Sequence, residues 1–108
     1  MKMSYRFMRT LVLFDLPTQT LENRREYARF RRYLIKSGFM MLQESVYCKI
    51  ALNQTATEII CNGLRKNKPP KGLVLVLSVT EKQFSKMEFL IGESQSEVIN
   101  SDERLIII

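Results

Sequence analysis

The chain has 108 residues, with 17 Lys or Arg, 11 Asp or Glu and no His, for a formal net charge of +6. That length suits one domain with a real core and excludes two. Without His, polar chemistry must rest on carboxylates, hydroxyls or a metal. The two cysteines, Cys48 and Cys61, are too few for a zinc site and are expected as buried thiols in a reducing compartment.

Phe7–Phe14 reads as the first strand. Its apolar run Leu11-Val12-Leu13-Phe14 stops at Asp15, and Pro17 cannot donate to a sheet ladder. The pattern therefore places a carboxylate at the rim of a sheet. Thr20 is the predicted N-cap of a helix over Leu21–Lys36, which Gly38 ends. Phe39–Gln43 and Val46–Leu52 read as two strands joined through Glu44-Ser45, a tight connection lacking the usual Gly or Asn. A second helix is expected over Thr55–Lys66. Thr55 and Glu58 have capping-box spacing, and Ala56, Ile60 and Leu64 form its buried side. Asn67–Lys71 holds two prolines and reads as a loop. Gly72–Val79 is the most apolar strand, Thr80–Ser85 a turn and Met87–Ile91 a further strand. Gly92–Glu103 is polar and reads as a linker to the apolar end Leu105-Ile106-Ile107-Ile108.

The order strand, helix, strand, strand, helix, strand predicts an α+β fold. It is the ferredoxin-like βαββαβ arrangement, an antiparallel sheet with two helices on one face and appended C-terminal strands. Residues 1–91 form the expected domain, and residues 92–108 a linker and a C-terminal strand for pairing between subunits. Leu11–Phe14 and Leu73–Leu77 do not alternate, so the second face of the sheet needs a cover. A homodimer supplies one, and the apolar tail suits pairing with a sheet, the partner's in preference to that of its own protomer. No apolar stretch approaches the roughly 20 residues that cross a bilayer, and the N-terminus lacks a signal-peptide core. A cytoplasmic protein with no membrane partner is expected.

The surplus charge is localised. Residues 1–49 carry ten basic and four acidic side chains, whereas residues 50–108 carry seven of each. At about 100° per residue, Tyr27, Phe30 and Leu34 share one side of the first helix. Arg25, Arg29, Arg32 and Lys36 stand nearly opposite, flanked by Arg24 and Arg31. The row spans about 16 Å along the axis. Like charges at these spacings repel, so the row suits phosphates better than plain solvation. Arg65, Lys66, Lys68 and Lys71 form a second basic cluster after the second helix.

Asp15 has two readings. An Asp before a proline turn often bonds local backbone amides. It is also a candidate catalytic carboxylate and Mg²⁺ ligand. One carboxylate is too few for that ion unless water, carbonyls or a second chain contribute. A two-fold axis near the strand ends would pair two copies of Asp15, and such a site activates water for phosphodiester cleavage. An RNA-recognition module shares this topology, but Leu73-Val74-Leu75-Val76 offers no aromatic to stack on a base.

The chain resembles the family of CRISPR-associated protein two, in the form found in type II systems. The resemblance spans nearly the whole chain. It rests on Tyr5-Arg6-Phe7-Met8-Arg9, Leu13-Phe14-Asp15-Leu16-Pro17-Thr18, Tyr27-Ala28-Arg29-Phe30-Arg31 and Gly38-Phe39, then on Ser45-Val46-Tyr47, Leu52-Asn53, Lys71-Gly72, Val79-Thr80-Glu81-Lys82-Gln83-Phe84 and Asn100-Ser101-Asp102-Glu103-Arg104. The order and spacing of these pieces together carry it. The resemblance implies a ferredoxin-like homodimer that bridges two dimers of the CRISPR integrase and holds the duplex DNA to be inserted as a spacer. It also implies a metal-dependent endonuclease of RNA or DNA, with Asp15 as the acid and magnesium bound between protomers. The scaffold is the favoured physiological role. A free-standing RNase acting as a toxin is a third and weaker reading.

Overall fold

The computed structural model describes residues 7–91. The chain runs β1 (Met8–Asp15), α1 (Leu21–Lys36), β2 (Met40–Gln43), β3 (Val46–Ala51), α2 (Gln54–Asn67), β4 (Leu73–Thr80) and α3 (Glu81–Phe84). The four strands form one antiparallel sheet in the order β2-β3-β1-β4. The fold is α+β and ferredoxin-like. No helix among the described residues is long and apolar enough to cross a membrane.

The sheet register follows from β1. Thr10, Val12 and Phe14 alternate onto the helical side and are buried. Phe14 meets Phe30 and Tyr27 edge-on, with ring centroids 5.4 and 6.0 Å away, and stacks on Tyr47 at 5.8 Å. Leu16, Leu34, Phe39 and Leu64 complete this core. The intervening residues of β1 face the other way, in register with Leu73, Leu75 and Leu77 of β4. Those three leucines are 55, 52 and 55% exposed. The second apolar face expected from the strands is present, and the described residues leave these leucines of it uncovered.

Both ends of α1 follow local chemistry. Thr20 Oγ1 accepts from the Asn23 amide at 3.0 Å. At the other end Gly38 takes φ +93°. The Gly38 amide donates to the Ile35 carbonyl at 3.1 Å and the Phe39 amide to the Leu34 carbonyl at 3.0 Å. That pair is a Schellman closure, and it needs the left-handed glycine. The Lys49 ammonium donates to the Ser37 carbonyl, placing a cation at the helix C-terminus.

Several expectations are corrected. The N-cap of α2 is Asn53, whose Oδ1 accepts from the Ala56 amide at 2.8 Å. Thr55 lies inside the first turn, so its spacing with Glu58 makes no capping box. The box forms instead at Thr80 and Gln83, where side chain and backbone bond reciprocally at 3.0 and 2.9 Å. The expected turn there is the short helix α3. The β2–β3 connection is tight, as expected, but the register slips between Met41 and Gln43. Met87–Ile91 forms no strand among the described residues. A strand needs an edge to pair with, and α3 carries the chain off β4 without a hairpin. The expected linker and strand of residues 92–108 lie outside the described residues. Cys48 is a buried free thiol and Cys61 a half-buried one.

Candidate functional site

The outward face of α1 separates cations that are tied down from cations that are not. Arg25, Arg32 and Lys36 are exposed and make no hydrogen bond or ion pair among the described residues. Arg24 donates from Nη1 to the Thr18 carbonyl at 3.0 Å. Arg29 is more engaged. Its Nε bonds the Glu26 carboxylate at 2.8 Å, and its Nη2 reaches the Asn67 carbonyl at 3.2 Å. Glu26 thus offsets the charge of one residue in the predicted row. Arg31 lies off that row, and its Nε donates to the Tyr47 hydroxyl at 2.9 Å. That hydrogen bond holds the Arg31 guanidinium above its ordinary pKa.

The Arg29–Asn67 contact has a second consequence. It ties the last residue of α2 to the middle of α1 across 38 residues of sequence. Arg65 bonds the Asn62 side chain, and Lys68 returns to the Arg65 carbonyl at 3.3 Å. Both are spent partly on the end of their own helix, where cations are favoured. Lys66 and Lys71 are exposed and make no such bond among the described residues. Arg65 and Lys68 also rim a groove of about 250 Å³ between α2 and β4, with Leu64, Val74 and Val76 in its lining.

Asp15 ends β1 in register with Leu73, so it points to the uncovered face, away from the helical layer. It is exposed, and its carboxylate takes no hydrogen bond or ion pair among the described residues. The local amide-bonding role open to it in the sequence is not the one adopted. Gly72 holds the strand end in place. It has φ +101°, and a Cβ there would sit 2.8 Å from the Asp15 carbonyl oxygen and 2.8 Å from Leu16 Cδ2. Only glycine allows that approach. Within one protomer, then, Asp15 and the α1 cations lie on opposite sides of the sheet.

A hard carboxylate oxygen suits Mg²⁺, which wants six oxygen ligands. Among the described residues no three His, Cys, Asp or Glu side chains converge. The described residues therefore fit the ion only as part of a site, in which Asp15 would supply a single carboxylate and other oxygens would have to complete the shell.

One further group on the uncovered face escapes a sequence reading. Arg9 binds the Glu81 carboxylate through two nitrogens, at 2.7 and 3.1 Å, and lies 4.3 Å over the Phe84 ring. A third nitrogen approaches Cys48 Sγ at 3.5 Å. Burial pulls its pKa down, but the bonds to Glu81 and Cys48 outweigh this and raise it. Arg9 thereby clasps α3 to the sheet. Its hydrogen-bond partners Cys48 and Glu81 are 39 and 72 residues away, and no local spacing signals them.

Comparison with known proteins agrees with this architecture. The family model for CRISPR associated protein Cas2 matches residues 8–87. The "CRISPR-associated endoribonuclease Cas2" of Treponema denticola is 58% identical over 101 residues, covering 94% of this chain and 100% of that protein. The protein of the same name from Ligilactobacillus salivarius is 45% identical, again over 94% of this chain and all of its own length. That from Streptococcus mutans serotype c is 45% identical over 94% of this chain and 93% of its own. A matched span running from β1 through α3, together with identities this high over nearly the full length of each relative, places the chain in the CRISPR associated protein Cas2 family.

Proposed function

We propose that the protein is a CRISPR adaptation factor, a homodimeric scaffold that binds duplex DNA and bridges integrase dimers during spacer acquisition in the cytoplasm. The observation that carries this reading is the unpartnered row Arg25, Arg32 and Lys36 on the outward face of α1. An isolated helix loses a few tenths of a kcal/mol for each like-charged pair at such spacing. Phosphates remove that repulsion and release their counterions. Arg24, Arg29, Arg65, Lys66, Lys68 and Lys71 extend the contact, with Arg29 exchanging Glu26 for phosphate. The dimer part of the reading draws on Leu73, Leu75 and Leu77, which a second sheet would cover. Each half-exposed leucine that becomes buried contributes about 1 kcal/mol.

A salt titration of duplex binding tests the scaffold. Removing one cation that meets a phosphate lowers the slope of log K against log salt by about 0.9. Changing Arg25, Arg29, Arg32 and Lys36 to Gln is expected to weaken binding to every duplex sequence alike, because phosphate contacts carry no sequence information. An unchanged slope makes the row a solvated face.

A second reading is favoured by one specific observation, the free carboxylate of Asp15 at the sheet rim. In this reading the protein is a metal-dependent endonuclease of RNA or DNA; its relatives are named endoribonucleases. Asp15 from each protomer would hold Mg²⁺ across the dimer. Bound there, the ion supplies an acidified water and a counter-charge for the phosphodiester. Asp15→Asn keeps size and hydrogen bonding but removes the charge that a hard cation requires. Under the scaffold reading, spacer acquisition survives this change and only divalent-dependent cleavage is lost. Loss of acquisition, with dimer and duplex binding intact, reverses the ranking.

A further inference from the structure

The cations of α1 are held in different ways, and Arg31 stands apart. Arg25, Arg32 and Lys36 have no anchor among the described residues. Arg24 is tied through a terminal nitrogen, and Arg29 is tied through Nε to a carboxylate that offsets its charge. Arg31 is tied through Nε to a neutral hydroxyl. That hydroxyl does not move, because Tyr47 is fully buried and its ring stacks on Phe14. A guanidinium carries five N–H donors in one rigid plane. Tyr47 takes one, and the four on Nη1 and Nη2 meet no acceptor among the described residues. Glu44 acts on the group through charge alone. Arg31 is exposed, so its free edge is open to solvent.

A buried tyrosine hydroxyl needs a partner, but any neutral donor would satisfy it. The use of an arginine Nε does something more. It removes freedom from the side chain without removing its charge, and it leaves outward the paired donors that match two oxygens of a phosphate. We propose that Arg31 is a pre-organised, bidentate phosphate contact for duplex DNA, and that Tyr47 is its positioning residue. The contact lies on the flank of α1 facing β3 and adds a second line beside the Arg25–Lys36 row. The inference rests on the duplex-binding reading above.

The test compares wild-type protein with Arg31→Gln, Arg31→Lys, Tyr47→Phe and the Arg31→Gln/Tyr47→Phe double variant. Each is titrated with one duplex across a salt series, and each is checked for folding by thermal melting. Arg31→Gln is expected to lower the salt slope by about 0.9. Tyr47→Phe keeps the cation and the ring, so the slope stays and affinity falls roughly threefold to tenfold, the factor for ordering one long side chain in advance. Arg31→Lys, a surface change that leaves the core untouched, also keeps the slope and loses affinity. The double variant binds no worse than Arg31→Gln, because Tyr47 acts only through Arg31. Wild-type affinity in Tyr47→Phe, or an unchanged slope in Arg31→Gln, overturns this inference and leaves the scaffold standing. Failure of the wild type to bind duplex overturns both.

Discussion

The two faces of the sheet are built from alternate residues of the same strands and meet different ends. Val12 and Phe14 point under the helices and close a core of interlocked rings. Leu73, Leu75 and Leu77 point the other way and stay about half exposed. Individual arginines differ as sharply. Arg9, on the uncovered face, is held by Glu81, Cys48 and the Phe84 ring, whereas Arg25 and Arg32, on the helical layer, hold nothing among the described residues. Composition alone does not separate these roles. A leucine in register with Asp15 is exposed, and a phenylalanine one residue away is core.

The sharpest way to break this contrast is to truncate one side chain on each face. Phe14→Ala is expected to cost about 3–5 kcal/mol of protomer stability, because it removes a ring that touches three others. Leu75→Ser is expected to cost the protomer under about 0.5 kcal/mol while shifting sedimentation toward monomer at micromolar concentration. Equal destabilisation by chemical denaturation, with no change in sedimentation, would show that the two faces are equivalent.

Gly72→Ala comes next. The positive φ and the 2.8 Å approach to the Asp15 carbonyl oxygen leave no room for a methyl group. A loss of about 2 kcal/mol is expected, read as a lowered denaturation midpoint. A neutral Gly72→Ala would mean that the Asp15–Leu16 backbone moves freely, and it would remove the rigid placement of the carboxylate.

The smallest effect sharpens the division among the arginines. Arg9→Gln should cost about 1–2 kcal/mol, less than a fully buried pair because both partners keep some water. It should leave the salt slope of duplex binding alone. Arg32→Gln should do the reverse, changing stability by under about 0.5 kcal/mol and the slope by about 0.9. A melt and a salt titration on each variant decide it.

Much of the architecture was legible because its causes are local. Thr20, the apolar side at Tyr27, Phe30 and Leu34, and Gly38 set α1 through contacts within a few residues, and its limits match the predicted ones. The rim position of Asp15 followed from one proline. Where two local signals competed, sequence was weaker. Asn53 and Thr55 are both good caps, and the point where β3 releases the chain selected Asn53. The candidate site was legible as a list of cations and one acid, but not as a geometry.

What the chain determined by itself was periodicity, capping and the excess of charge in its first half, since these depend on neighbours in sequence. Tertiary structure decided which of those charges are available. Arg29 is occupied by a carbonyl 38 residues on and Arg31 is aimed by a hydroxyl 16 residues on, while Arg9 is clasped by a carboxylate 72 residues on. It also decided that Met87–Ile91, with the composition of a strand, is not one among the described residues. A strand is completed by hydrogen bonds to another strand, and pairing of that kind is not written in a local pattern.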